Sequence, residues 1–247
     1  MSAASDTALE ALVRKLETHT DLDADERRAL LSLPATIRVF EASQDILRDG
    51  DRPHHCALVV DGWVYRYQTL AEGRRQILSF HLAGDVPDLL SVHLAVLDHS
   101  LAALTTCSVA LIPHEAIRAV THRLPALADR LWRETLVDAS IFRGWVTTMG
   151  RRSAYGRIAH LFCELYLRQA AIGLAEDGAC SMPLRQTQLA DATGLTTVHI
   201  SRTLNALRRA GLITLQDRRL VIHDLGQLMK AAEFDRRYLH LRPEAAP

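Results

Sequence analysis

The sequence predicts an α+β protein with an N-terminal β-roll of the jelly-roll kind, a long helix and a C-terminal winged helix-turn-helix. Three observations predict this. Short β-rich runs between glycine turns fill residues 37–113, a long helical pattern follows Pro125, and residues 186–213 are typical of two short helices around a tight turn. We expect three parts: helices and β-roll in residues 1–123, the long helix in 124–150, and the winged helix-turn-helix in 151–247.

Two short helical patterns precede the β-rich region, and the second of them stops at Pro34. The runs IRVFEA, CALVVDGWVYRYQTL, RQILSFHLA and SLAALTTCSVALI then alternate with glycine turns, as in an all-β barrel or sandwich. HEAIRAVTHR predicts a short helix at the end of this part.

The long helix begins at Pro125, which fits a first helical turn. Its apolar residues predict either a core face or a two-fold dimer seam, and the spacing alone does not decide between them. These residues are Leu127, Leu131, Thr135, Phe142, Trp145 and Met149. A hinge at Gly150 and another helix over residues 153–173 follow.

Residues 186–213 carry the strongest pattern in the chain. Ile200, Leu204 and Leu207 share one face of the second helix and can pack on Leu189 and Ala190 of the first. Gly194 fits a left-handed turn position, and Thr196 is placed to cap the second helix. His199 stands where a capping box would need Glu or Gln.

The same helix leaves a small polar face, with Thr197, Val198, Ser201 and Arg202 directed away from its core. An arginine there can bind guanine through two hydrogen bonds, and a valine can contact a thymine methyl. We interpret the pair as a DNA-binding helix-turn-helix; the alternative is an ordinary helical pair with a surface patch. Residues 214–224 then predict a hairpin wing whose Arg218 and Arg219 reach phosphates, and residues 225–241 one more short helix.

Charge and composition agree with this interpretation. Residues 1–150 carry 15 basic and 20 acidic side chains, whereas residues 151–247 carry 14 and 9, so only the second part is basic. No signal-peptide pattern or apolar run long enough for a membrane span occurs, so we expect a cytoplasmic protein without membrane contact. Cys56, Cys107, Cys163 and Cys180 lie far apart and are expected to be reduced, and three of the four sit among apolar residues and are expected to be core side chains.

In this order and with these motifs, the chain resembles the Crp/Fnr family of bacterial transcription regulators. The resemblance covers nearly the whole sequence. It rests on Gly50-Asp51, Val60-Asp61-Gly62, Gly73 to Leu78 and Gly84-Asp85 in the roll, and on Gly156 to Ala159, Leu189-Ala190, Gly194 to Thr196, Ser201-Arg202 and Gly211 to Ile213 after it.

The resemblance implies a homodimer joined along the long helix, an inverted-repeat DNA site, RNA polymerase as a partner and an effector in the roll. It makes Thr196 and His199 phosphate contacts and Thr197, Val198, Ser201 and Arg202 base contacts. Many members carry glutamate at the position of Val198, which predicts a different base preference here.

The resemblance places an effector pocket at Gly84, Asp85, His99 and Ser100. Members that bind cyclic AMP have an arginine where this chain has His99, so cyclic AMP is disfavoured. No cysteine precedes Cys56, which argues against an iron–sulfur cluster. Haem or metal ligation is one explanation of the many histidines in this part of the chain, and scattered surface and loop histidines are the favoured explanation. The residues in question are His54, His55, Cys56, His81, His93, His99 and His114.

The main rival to a regulator is a cupin-like metal enzyme, which requires a His-x-His that this chain lacks. We found no nucleophile motif, no phosphate-binding loop and no paired carboxylates, so we predict no enzyme activity, no cofactor and no metal. A regulatory cyclic-nucleotide-binding module without DNA affinity is a second rival. A roll that has lost its effector remains open as a third possibility.

Overall fold

The computed structural model describes residues 3–243, and the side chains from residue 8 onwards. The chain separates into one compact unit that ends at Leu136 and a second that begins at Val137. The boundary falls inside a helix, α4 (Pro125–Arg151), which the sequence predicted to be a segment of its own. Each half of α4 packs within a different unit, so its residues belong to two hydrophobic cores.

The first unit begins with two helices, α1 (Ala3–Glu17) and α2 (Ala24–Leu31), as the sequence predicts. Asp23 begins α2 with a capping box, because its carboxylate accepts from the Glu26 N–H while the Glu26 carboxylate accepts from the Asp23 N–H. The seven strands that follow are β1 (Thr36–Phe40), β2 (Asp45–Leu47), β3 (His55–Asp61), β4 (Val64–Thr69), β5 (Arg75–His81), β6 (Ser100–Ala103) and β7 (Cys107–Pro113).

These strands form two antiparallel sheets, ordered β1-β7-β3 and β2-β6-β4-β5. Phe40, Val64, Leu101 and Val109 belong to a buried cluster to which both sheets contribute. A second cluster joins α1 and α2 to the roll, to α3 (His114–Arg123) and to the first turns of α4. The 3₁₀ turn Leu89–Val92 lies between β5 and β6. The predicted β-roll is therefore confirmed.

The second unit contains the last turns of α4, then α5 (Ala154–Ala171), α6 (Gln186–Thr193) and α7 (Thr197–Arg209). Ser153 caps α5 by accepting from the Gly156 N–H, so the predicted break after Gly150 falls at residues 152–153. Within residues 3–243, no helix combines the length and the hydropathy needed to cross a lipid bilayer.

The wing is larger than the sequence predicts. The hairpin β10 (Ile213–Gln216) and β11 (Arg219–Ile222) is present, but β11 also pairs with β9 (Ala179–Ser181), which pairs with β8 (Ala175–Glu176). These two strands have only two and three residues, too few for alternation to reveal them.

The predicted single C-terminal helix is wrong. The segment forms α8 (Leu225–Ala231) and then a 3₁₀ turn, Arg236–Leu239. Glu233 has a positive φ of 47°, which no helix tolerates, and Asp235 begins the second turn by accepting from the Arg237 N–H.

A buried carboxylate ties this C-terminal segment to the rest of the second unit. Glu164 of α5 accepts hydrogen bonds from Trp145 Nε1 at 3.0 Å and from the Tyr238 hydroxyl at 2.8 Å, and Arg168 Nη1 lies 3.5 Å away. Burial raises the pKa of Glu164, and these donors oppose that shift. Arg152 adds a second attachment by donating to the carbonyls of residues 232 and 233.

We expect Tyr238→Phe to lower the free energy of unfolding by about 1–3 kcal/mol, because a buried carboxylate loses a donor. Urea denaturation measures the loss. Tyr166→Phe is the matched control. Tyr166 is buried on α5, the helix that carries Glu164, and its hydroxyl makes no hydrogen bond to any described residue. Equal losses in the two variants would contradict the role of this hydroxyl.

Candidate nucleic-acid interface

The turn between α6 and α7 has the predicted geometry. Gly194 ends α6 with φ 64° and ψ 32°, a left-handed conformation that reverses the chain without steric cost. Thr196 begins α7, and its Oγ1 accepts from the His199 N–H at 3.2 Å. That hydroxyl can still donate its own hydrogen to an external acceptor such as a phosphate oxygen.

One face of α7 is fixed against α5 and α6. Ile200, Leu204 and Leu207 are buried as predicted, and each such side chain contributes roughly 1.5–3 kcal/mol of hydrophobic free energy. On α6, Leu189 is buried, whereas Ala190 is only half-buried and Ala192 takes the inner position. The opposite face of α7 must therefore meet the solvent.

That outer face carries the predicted base-contacting residues. Thr197, Val198 and Arg202 are exposed and Ser201 is half-buried. Val198 is 58% exposed, so its methyl groups are accessible from the solvent side of α7. The face continues through two exposed residues, Asn205, three residues beyond Arg202, and Arg209, four residues beyond Asn205. Sequence reasoning overlooked these two, although the helical spacing contained the signal.

The tip of the wing presents the two predicted arginines. Arg218 and Arg219 are exposed, and Asp217 and Arg218 form the turn with φ of 49° and 61°. Two consecutive positive φ angles are typical of the hairpin turn whose twist matches its strands, but non-glycine residues adopt them at a cost. The Met182 N–H donates to the Arg218 carbonyl at 2.7 Å and holds this conformation.

Two further arginines connect the helix-turn-helix to neighbouring elements of the second unit. Arg157 Nη1 donates to the Thr193 carbonyl at the end of α6, and its Nε donates to the Arg152 carbonyl before α5, both at 3.0 Å. Arg208 Nη2 donates to the Leu215 carbonyl at 3.2 Å and links α7 to the wing. The guanidinium groups thus connect the helix-turn-helix to the elements before and after it.

The predicted stripe on α4 requires correction. Leu127 and Leu131 are buried in the core of the first unit, and Trp145 is buried in the second beside Glu164. Thr135, Phe142 and Met149 are half-buried. The stripe is thus largely a core face, one of the two alternatives that its spacing allowed.

A different row of α4 is exposed. Trp132, Leu136 and Val146 are large apolar side chains in contact with solvent, and Ala139 and Arg143 continue the row between them. The steps from Trp132 to Val146 alternate between four and three residues, which is the spacing of a coiled-coil seam. We call this row the exposed seam.

The four residues of the predicted effector pocket are buried and engaged within the roll. A Cβ on Gly84 would lie 2.5 Å from both the Ala11 carbonyl oxygen and Lys15 Cβ of α1, so this glycine is required by a close helix contact. Asp85 accepts from the Leu82 N–H at 2.9 Å and pairs with Lys15 at 3.1 Å.

The other two predicted pocket residues form hydrogen bonds with neighbouring residues of the roll. His99 Nδ1 lies 2.6 Å from Asp98 Oδ1, and this hydrogen bond lowers the pKa of Asp98. Ser100 Oγ accepts from the Asp49 N–H at 3.0 Å. His99 is therefore committed to an acidic neighbour, unlike an arginine that would clamp a phosphate.

Sequence reasoning overlooked a buried arginine in the roll. Arg66 of β4 is buried and donates to the Pro87 carbonyl, and its charge lowers the pKa of Asp98 and of Asp88. Asp88 is fully buried and accepts from the Ala57 N–H at 2.8 Å; burial nevertheless raises its pKa to about 6. An arginine within the aromatic run VYRYQT was the available signal.

The histidines and cysteines do not assemble a metal site among residues 3–243, where no group of three or more His, Cys, Asp or Glu side chains is placed to hold an ion. All four cysteines are buried and free. Burial raises the pKa of Cys107 to about 11 and those of Cys163 and Cys180 to about 12, so these sulfurs are poor thiolate ligands.

Comparison with known protein families identifies two domains in the chain. Residues 37–123 match the cyclic nucleotide-binding domain, and residues 156–231 match the Crp-like helix-turn-helix domain. The first match covers the roll and α3, and the second extends from α5 to α8.

Similar proteins include the transcriptional activator protein FnrL of Cereibacter sphaeroides, 28% identical over 85% of this chain and 86% of that protein. The nitrogen fixation regulation protein FixK of Rhizobium meliloti is 28% identical over 78% of this chain and 85% of its own length. The structure of FixK2 from Bradyrhizobium japonicum superposes with a TM-score of 0.73 and 26% identity, covering 81% of this chain and 98% of that one.

These relatives are regulators, which confirms the prediction that the chain is not an enzyme. Both domain matches, the relatives and the fold agree with one another. The chain therefore belongs to the Crp/Fnr family of DNA-binding transcription regulators.

Proposed function

We propose that the protein binds an inverted-repeat operator as a homodimer, with α7 of each copy in the major groove. The observation that carries this proposal is the outer face of α7, whose exposed arginine and valine lie opposite a buried apolar face. The basic charge of residues 151–247 supports contact with phosphates.

In this proposal the exposed residues of the second unit divide into two roles. Arg202 binds guanine, Val198 contacts a thymine methyl, and Thr197 and Ser201 complete the base-contacting set. Thr196 and His199 at the start of α7 contact phosphates, as do Arg218 and Arg219 at the tip of the wing. The phosphate contacts set position and salt dependence, and the base contacts set sequence preference.

The exposed seam is our candidate for the dimer interface. Two parallel copies of α4 would bury Trp132, Leu136 and Val146 against each other, with Ala139 allowing close approach. This arrangement also accounts for three large apolar side chains that would otherwise remain in water.

The roll is proposed to act without cyclic AMP. The position of the phosphate-binding arginine holds His99, which pairs with Asp98, and Asp85 pairs with Lys15. An iron–sulfur cluster is equally disfavoured, because the four cysteines are buried and dispersed. Haem remains an alternative, which absorption spectra of the purified protein would test. We further propose RNA polymerase as a partner and, because the target is DNA, a cytoplasmic location.

Selection of bound duplexes from a random pool, followed by titration of the best one, tests this proposal. We expect Arg202→Ala to weaken binding to that operator by about 1–3 kcal/mol per half-site, because a bidentate base contact is lost. Arg218→Ala removes the same charge from the wing and should weaken specific and nonspecific duplexes equally. If both arginine variants lose affinity without any change in sequence preference, α7 does not read bases.

Val198→Glu should change the preferred base. A carboxylate accepts from the N4 amino group of cytosine, which valine cannot do, so the selected half-site should gain a cytosine at one position. Val198→Ala is the control, and it should relax the preference without replacing it. An unaltered half-site in the glutamate variant would refute the placement of this residue.

Leu136→Glu should dissociate the dimer, because it places two like charges opposite each other in an apolar seam. Sedimentation velocity measures the mass. Leu70→Glu is the matched control, since Leu70 is 53% exposed and Leu136 is 55% exposed, but Leu70 lies just after β4. A dimer that survives Leu136→Glu would exclude the exposed seam as the interface.

A further inference from the structure

A groove in the first unit lies outside the interior of the roll. It has a volume of about 660 Å³ and is formed by the 3₁₀ turn Leu89–Val92, the residues just after it, α3 and the first turns of α4. Pockets of roughly 300–1,000 Å³ accommodate small organic ligands. The groove is open to solvent along one side, so a ligand could enter without rearrangement of the chain.

The walls of the groove are apolar. Leu94 and Trp132 are 57% and 65% exposed, and Leu131 forms part of the floor. Such side chains lose hydrophobic free energy when they face water, and a ligand that covers them recovers about 25 cal/mol for each Å² of apolar surface. An aliphatic or aromatic body therefore fits between these walls.

In the described part of the chain, the groove is lined by a cationic side chain and by no anionic one. Arg118 of α3 lines it together with His93 and His122, and none of the described residues that line it is acidic. Arg118 Nη2 donates to the Val92 carbonyl at 2.5 Å, which fixes the guanidinium at the wall and leaves further N–H donors on the same group. A fixed cation above apolar walls complements a ligand that has an apolar body and an anionic end.

We propose that this groove binds an amphipathic carboxylate, of the size of a medium-chain fatty acid or an aromatic acid. The carboxylate contacts Arg118 with His93 or His122 beside it, and the apolar body lies on Leu94, Leu131 and Trp132. The site is separate from Gly84, Asp85, His99 and Ser100, which are buried in the roll.

A second copy of the chain is the competing occupant, because Trp132 also belongs to the exposed seam. The lining of the groove favours the small acid, because its described residues present Arg118 and two histidines and no acidic side chain. The exposed seam adds one further cation, Arg143, and the nearest exposed acid on α4, Asp129, lies three residues before Trp132 and outside the groove.

Titration of the full-length protein with sodium decanoate tests the proposal, with decanol and decylammonium as neutral and cationic probes. We expect saturable binding of one decanoate per chain, at least about tenfold tighter than either probe. Trp132 reports on binding through its fluorescence, since Trp63 and Trp145 are buried. The double variant His93→Gln, His122→Gln should reduce the preference for decanoate over decanol.

Ala128→Phe should fill the groove and weaken decanoate binding at least about tenfold, because Ala128 lines it. Ala126→Phe is the matched control two residues earlier on the same helix, at an exposed position outside the groove, and should bind as the parent does. Circular dichroism confirms that both variants fold. Equal binding by the two phenylalanine variants, no preference for the anion, or binding that weakens as the dimer forms would overturn the proposal.

Discussion

The burial of one face of α7 determines what the rest of the second unit can do. Ile200, Leu204 and Leu207 pack on α5 and α6, and a helix has only one opposite side to present. Arg157 adds directional hydrogen bonds to this packing. Its guanidinium donates to the carbonyl groups at the end of α6 and just before α5. Arg157 thus links α5 to α6 through hydrogen bonds, and both of these helices pack on α7.

In the roll, polar side chains are buried, whereas on the outer face of α7 they are exposed. Arg66, Asp88, Asp85 and His99 are buried, and their contacts are mainly with the protein itself. Buried charges are tolerated when they are paired and hydrogen-bonded, and these contacts hold the side chains in place within the roll. The match to the cyclic nucleotide-binding domain thus describes the fold of the roll, in which these four side chains contact other residues of the first unit.

Much of the fold follows from local patterns in the sequence. Gly194, Thr196 and the spacing of Ile200, Leu204 and Leu207 predicted the turn, the cap and the buried face of the helix-turn-helix. Local patterns did not reveal contacts made over long sequence distances. The hydrogen bond from Tyr238 to Glu164 spans 74 residues. The short strand β9 pairs with β11, which follows it by about forty residues, and β8 joins the sheet only through β9.

For a related reason, the spacing of the stripe on α4 could not decide between a core face and a dimer seam. Its apolar residues occupy more than one face, and only tertiary packing shows that Leu127 and Trp145 are buried while Trp132 and Leu136 are exposed. The two faces of α7 were easier to predict from the sequence, since the inner face is apolar and the outer face is polar apart from Val198. The sequence pattern therefore predicted the inner and outer faces of α7 correctly, whereas it left the faces of α4 undecided.

Trp132 connects the two surfaces proposed for the first unit, because it lines the groove and begins the exposed seam. Its ring cannot take a new position for one partner without changing the surface offered to the other. Thermodynamic linkage makes this coupling reciprocal. If the ligand changes the affinity of one copy of the chain for the other by some factor, dimerisation changes the affinity for the ligand by the same factor. Since two half-sites are held by a dimer and only one by a monomer, such a ligand would change operator occupancy without contacting the helix-turn-helix.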